Sequence, residues 1–184
     1  MKNEFVMFVG PMFGGKTTKL LSAIDRYKYQ GRNILAFKPD VDERYSKEEI
    51  VTHWKARVPA KRIARGLDII GYITGSVPLA EKCVIAVDEA FMIPKVGETL
   101  IECFKLGHPI LVSSLQLSSD FTPYEEMQVM MPYATKVEVC PAVCSTCGSD
   151  AYYTKKIGGR LDHAIEVGGA EMYQPKCLTH FMEN

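Results

Sequence analysis

The sequence lacks any excess of charge: 22 Lys and Arg balance 22 Asp and Glu over 184 residues. A chain with no global basic field is not drawn to nucleic acid or to an anionic membrane by charge alone, so neither partner is expected. No apolar run approaches the roughly 20 residues that span a bilayer. Internal repeats and low-complexity tracts are missing too, which excludes solenoids and disordered linkers. No export signal is expected either. The start, MKNEFVMFVG, puts Glu4 where such a segment holds only basic charge, and no A-x-A-like cleavage site follows. A cytoplasmic location is expected, and the six cysteines are expected as thiols or metal ligands rather than disulfides.

The length suits one domain with a good core plus a small appendage. Glu4 to Val9 reads as a buried strand. Leu20, Leu21, Ile24 and Tyr27 then recur on one face of a helix that starts at Lys16 and ends near Gly31. Asn33 to Lys38 reads as a second strand, followed by a polar loop to about Thr52 and short alternating elements from 53 to 80. Val84 to Val87 is a continuous apolar strand. Val96, Leu100, Ile101 and Phe104 form a helical stripe closed by Gly107, and Pro109 to Val112 forms another strand. Strands alternating with helices predict an α/β fold with a parallel sheet covered on both faces. After about residue 137 cysteines cluster and glycine pairs appear, which divides the chain into an α/β unit of residues 1–136 and a small β-rich lobe of residues 137–184.

Between the first strand and helix lies Gly10-Pro11-Met12-Phe13-Gly14-Gly15-Lys16-Thr17-Thr18, which contains G-x-x-x-x-G-K-[ST], the phosphate-binding loop pattern. Glycines let the backbone turn its N–H groups toward phosphate oxygens, and the helix N-terminus adds partial positive charge. Lys16 is expected to reach the β and γ phosphates, and the Thr17 hydroxyl to sit on Mg²⁺. The strand ending in Asp88-Glu89, expected beside the first strand, supplies the matching acids. Asp88 would hold the Mg²⁺ shell and Glu89 would act as general base.

In the lobe, Cys144-x-x-Cys147 and Cys177-x-x-His180 are two ligand pairs suited to a tetrahedral structural Zn²⁺, which would replace the core so small a unit lacks. Cys140 is the rival to His180 for the fourth position. Cys83 and Cys103 lie in apolar segments and are expected in the core.

These motifs in this order resemble the type II thymidine kinases. The resemblance spans nearly the whole chain: Gly10-Pro-Met-Phe-Gly-Gly-Lys-Thr17, Lys38-Pro39 with Asp42-x-Arg44-Tyr45, Thr52-His53, Asp88-Glu89-Ala90, Ala142-Val143-Cys144-x-x-Cys147-Gly148, Ala151-x-x-Thr154-Lys155 and Val167-Gly-Gly-Ala-Glu-x-Tyr173. It implies a RecA-like α/β domain whose zinc lobe sends a loop, the lasso, over the nucleoside. It implies transfer of the γ-phosphoryl of ATP to the 5′-hydroxyl of thymidine or deoxyuridine, a homo-tetramer, and feedback inhibition by thymidine triphosphate. By position, the resemblance makes Glu89 the base, Arg44 a cation near the transferring phosphoryl and Asp42 a support of that loop. Ile165, Glu166, Val167, Gly168 and Gly169 become the lasso, braced by Tyr173. Met12, Leu115 and Thr154 become lining of the base pocket.

The chain departs from the family around the base. Phe91-Met92-Ile93 follows Asp-Glu-Ala, Gln116 follows Leu115, Ser119 holds an aromatic position that Phe121 fills after a shift, and Pro123-Tyr124 replaces Pro-Phe. Met92, Phe121 and Tyr124 are therefore expected on the substrate side, with a base preference open to change. Two further readings share the phosphate loop. One is a P-loop ATPase or regulatory module whose zinc lobe binds nucleic acid or protein. The other is a nucleoside monophosphate kinase, which would need a basic cluster for the second phosphate, and the chain has none.

Overall fold

The computed structural model describes residues 3–42, 48–52, 54–76, 81–159 and 168–183. The chain runs β1 (Phe5–Val9), α1 (Lys16–Tyr29), β2 (Ile34–Pro39), β3 (Glu49–Val51), β4 (Arg57–Pro59), β5 (Lys61–Ile63), α2 (Asp68–Ser76), β6 (Val84–Val87), α3 (Val96–Lys105), β7 (Ile110–Ser114), α4 (Glu125–Met130) and β8 (Lys136–Val139). Short 3₁₀ turns cover Ala90–Met92 and Met131–Tyr133. The lobe follows, with β9 (Ala142–Val143), β10 (Asp150–Ala151), β11 (Tyr153–Lys156), β12 (Tyr173–Lys176) and α5 (Leu178–Met182).

Six strands form one sheet in the order β5-β2-β6-β7-β1-β8, and every pairing in it is parallel. The α/β fold expected from the alternating pattern is present. β1 is buried along its whole length because alternate residues serve two cores. Phe5, Met7 and Val9 pack with Ile85, Val87, Ile110 and Val112 against Ile69 of α2, Leu100 of α3 and Met127 of α4. Val6, Phe8, Ala36 and Leu111 pack against Leu20, Leu21 and Ile24 of α1 and against Ile50 and Val58 of the β3–β4 hairpin. A strand buried on both faces cannot alternate polar and apolar residues, which is why β1 and β6 read as continuous apolar runs.

One expectation fails. β6, which carries the acidic pair, is not the neighbour of β1: β7 lies between them and pairs with both. The six strands of this sheet are all parallel, so their C-terminal ends still open on one edge, where α/β sheets bind ligands. β3, β8 and α4 were not anticipated, and β3 falls within the stretch expected as a polar loop to about Thr52. β8 extends the main sheet past β1, so the change of texture near residue 137 falls inside a sheet strand. α4 is held to α3 by Glu126, whose carboxylate accepts the N–H groups of Lys95 and Gly97 at 2.7 Å each. Lys95 has φ 61 and leaves the start of α3 without a side-chain cap of its own, so a carboxylate from α4 satisfies those amides and the partial charge there.

Among the described residues the lobe's apolar interior is small, although Tyr173 of β12 is also buried. Its buried cluster is Ala142, Cys144 and Ala151, with Cys177 packed against it.

Candidate active site

The turn after β1 is shaped by glycine where the backbone demands it. Gly10 has φ 145 and Gly15 has φ 74, conformations that side chains disfavour. Gly15 caps α1, which has no side-chain cap and no acid in its first turn. The amides at that helix start therefore keep their positive potential for an outside anion. Lys16 is buried, and its ammonium donates to the Pro11 carbonyl across the loop at 2.6 Å.

The two acids diverge as soon as β6 ends. Asp88 is buried, and the Thr17 hydroxyl lies 3.2 Å from each of its carboxylate oxygens. Burial first, then the neighbouring Glu89 charge, pushes its carboxyl up to about 7, while the Thr17 hydroxyl and the Lys16 charge pull the other way. Glu89 takes left-handed backbone angles, φ 50 and ψ 44, uncommon for a residue with a side chain. That twist breaks the strand's alternation and turns both acids to the same edge. Phe13, Lys16, Thr17, Thr18, Asp88 and Glu89 border one cavity of about 110 Å³, which Met12, Gly15, Asp42 and Gly169 also reach. The arrangement joins a cation, helix-end amides, a hydroxyl–carboxylate pair and a second carboxylate. Those groups can bind a polyphosphate and accept a proton beside it.

The cysteine motifs also converge. The ligand atoms of Cys144, Cys147, Cys177 and His180 lie within 4.8 Å of one another. A tetrahedral zinc with Zn–S near 2.3 Å and Zn–N near 2.0–2.1 Å places sulfurs about 3.8 Å apart and sulfur and nitrogen about 3.5 Å apart. Cys147 and Cys177 are separated by 3.8 Å, and Cys144 Sγ lies 3.6 Å from His180 Nδ1. Cys177 is nearer that nitrogen, at 3.1 Å. Burial pushes the Cys144 thiol up, but backbone N–H groups of Cys177, Cys147 and Thr146 more than offset this and hold it at about 5. The far nitrogen of His180 faces Glu183 at 3.8 Å, an outer-shell carboxylate. The donor set fits a structural zinc. Cys140 is no part of it: it packs in the core beside α1, with its thiol toward the Glu138 carbonyl.

The thymidine kinase family model matches residues 3–181. The chain belongs to the thymidine kinase family. It is 31% identical to a thymidine kinase of Pyrobaculum aerophilum over 182 residues, covering 96% of this chain and 97% of that protein. The phosphate loop, the acidic pair and the Cys/His cluster are thus parts of a thymidine kinase, and the reading as a regulatory module without a nucleoside site is set aside.

The kinase spreads its other expected substrate residues over several places. Met12 and Thr154 touch: the Met12 N–H donates to the buried Thr154 hydroxyl at 2.9 Å. Leu115 is buried just past β7, where the Ser114 hydroxyl accepts the Phe91 N–H and donates to the Leu115 carbonyl. Met92 and Tyr124 line a second cavity of about 350 Å³ with Val41, Phe91 and Pro94, and the Phe91 and Tyr124 rings sit 4.5 Å apart. Phe121 reaches neither cavity. With φ 69 it turns toward the lobe and stacks on Tyr153 and Phe181 at 5.3 and 5.4 Å. Gly169 borders the first cavity, and its carbonyl accepts the N–H of buried Tyr173 at 3.0 Å. A β-carbon on Gly168 would lie 2.3 Å from the Met172 sulfur. Arg44, Ile165, Glu166 and Val167 lie outside the described residues.

Sequence reasoning passed over Lys38 and Thr52 as site residues, although both are buried and line the first cavity. The signal for Lys38 was present. A lysine ends an otherwise apolar strand, and a buried cation at the C-terminal end of a sheet strand points to an anion.

Proposed function

We propose that this kinase transfers the γ-phosphoryl of ATP to the 5′-hydroxyl of thymidine or deoxyuridine, giving the 5′-monophosphate. The observation that carries the reading is the shared cavity of Lys16, Thr17, Asp88 and Glu89 at the C-terminal edge of the sheet. Alignment and charge neutralisation do most of the work in phosphoryl transfer. The loop amides and Lys16 bind and orient the triphosphate. Glu89, aimed by its left-handed backbone, takes the proton of the attacking hydroxyl. Arg44 adds positive charge at the transferring group, and Asp42 steadies that loop. Residues 165–169 cover the nucleoside and exclude water, with Tyr173 bracing them. Met12, Leu115, Thr154, Met92 and Tyr124 surround the base.

The Thr17 hydroxyl beside a carboxylate held near neutrality is a fitting donor pair for a divalent cation. Mg²⁺ held by Thr17 and Asp88 would neutralise charge on the phosphate oxygens. Cys144, Cys147, Cys177 and His180 would hold a structural Zn²⁺. We further assign a phosphate-loop unit and a zinc lobe, divided after β8 rather than at residues 136/137 because that strand belongs to the sheet, together with a homo-tetramer, feedback inhibition by thymidine triphosphate and a cytoplasmic location. No helix among the described residues is long and apolar enough to cross a membrane.

A second reading concerns the base. Phe121 is stacked on lobe aromatics, which leaves the base without that ring as a platform and favours a preference shifted from thymidine. One experiment decides both: ATP-dependent phosphorylation of a nucleoside panel, with Glu89→Gln as control. Thymidine or deoxyuridine monophosphate from the wild type and almost none from the variant is the expected outcome. Preferential product from another nucleoside replaces the first reading with the second, and no product from any nucleoside overturns both.

A further inference from the structure

The phosphate loop is gripped by two groups that lead directly to the Cys/His cluster. The first is the Cys140 carbonyl. β-Carbons on Gly10 and Gly14 would each lie 2.3 Å from its oxygen, and the Cys140 N–H donates to the Val9 carbonyl at 2.7 Å. From Cys140 the chain passes through β9 to Cys144. The second is Thr154, whose hydroxyl accepts the Met12 N–H. Thr154 pairs in register with Pro175 of β12. The Pro175 carbonyl accepts the N–H of Ser145, next to Cys144, at 3.0 Å, and β12 runs into Cys177. Both grips therefore end at metal ligands.

We infer that metal in the Cys144–Cys147–Cys177–His180 cluster tunes the phosphate loop, with Thr154 as the positioning residue that carries the coupling. The inference rests on reading the loop as the triphosphate site and the cluster as a zinc site. Among the described residues the lobe's buried cluster is small, with the Tyr153 and Phe181 rings adding one contact between β11 and α5, so ligation would tie β9, β12 and α5 into one body. Once rigid, that body holds Thr154 against Met12, and the direction of the loop amides decides how well they meet phosphate oxygens. Without ligation the same hydroxyl belongs to a loose hairpin, and the Met12 N–H loses its fixed acceptor. Linkage is reciprocal: a nucleotide that prefers the held loop must raise zinc affinity by the factor by which zinc raises nucleotide affinity.

The test uses the full chain. Affinity for a non-hydrolysable ATP analogue is measured by calorimetry on zinc-loaded wild type, Thr154→Val and Thr154→Ser. Zinc affinity is measured at equilibrium against a chromophoric chelator, with and without the analogue. Losing one hydrogen bond corresponds to about a fivefold change. Thr154→Val is expected to bind the analogue about fivefold more weakly at unchanged zinc content, and Thr154→Ser to restore binding. In the wild type the analogue is expected to raise zinc affinity severalfold, and in Thr154→Val by a clearly smaller factor. If Thr154→Val does not fold, the wild-type zinc measurement decides alone. Tight analogue binding indifferent to the valine, or zinc affinity indifferent to the analogue, overturns the coupling and leaves the phosphate reading standing. Failure of zinc-loaded wild type to bind the analogue removes the phosphate reading and this inference with it.

Discussion

Asp88 and Glu89 are chemically almost the same residue, and their surroundings separate them. Asp88 is buried against Thr17, with its carboxyl raised to about 7. A carboxyl raised in the folded state keeps its proton where the unfolded chain, near 4, has lost it. Its contribution to stability is therefore full below about pH 4, falls as pH rises through the window from about 4 to about 7, and is flat above. Asp88→Asn removes that slope. Urea unfolding without nucleotide or metal at pH 5 and pH 8 checks it: the variant is expected to gain on wild type at the higher pH, by a few kcal/mol at most. Glu89→Gln has a different signature. In the proposed role of general base, its loss lowers turnover about 10²–10⁴-fold, and calorimetry is expected to find ATP affinity kept within a small factor.

At the scale of the element, the phosphate loop contains two kinds of glycine. Gly15 needs its positive φ, but a β-carbon there meets nothing within 4 Å. Gly14 is needed for space, because its β-carbon would meet the Cys140 backbone. Gly15→Ala is expected to cost about 1–2 kcal/mol from the backbone conformation alone. Gly14→Ala is expected to cost about 3 kcal/mol, because neither the Cys140 backbone after β8 nor the loop can yield alone. Denaturant melts of both variants rank them, and an equal or reversed order would remove the argument from close approach. The cap that joins α4 to α3 is a separate element-scale device. Glu126→Ala leaves the Lys95 and Gly97 amides without their acceptor, with an expected loss of about 1–2 kcal/mol in the same assay.

Across the whole molecule, two interiors of different kind meet. The sheet has two full apolar cores, whereas the described residues of the lobe bury only a small cluster beside the four Cys/His side chains proposed to hold zinc. Zinc analysis should return one ion per chain for wild type and a substoichiometric amount for Cys147→Ser. Chelation should lower the melting temperature and expose β9–β12 to hydrogen exchange while β1, β6 and β7 stay protected. Loss of protection throughout the sheet on chelation would show that the lobe is not the separately metal-dependent part.

The sequence by itself determined whatever depends on neighbours along the chain. The loop glycines, Lys16 and Thr17 follow each other directly, the strands β1 and β6 are apolar throughout because both faces are buried, and Cys144-x-x-Cys147 and Cys177-x-x-His180 both have ligand spacing. Tertiary structure decided what depends on residues far apart. It inserted β7 between β1 and β6, since strand order leaves no trace in a strand's own residues. It chose His180 over Cys140 as the fourth member of the cluster, because β8 draws Cys140 into the sheet's core. It added Lys38 and Thr52 to the cavity and turned Phe121 away to the lobe. A side chain's neighbours across the sheet are set by packing between distant segments, and local spacing carries no record of them.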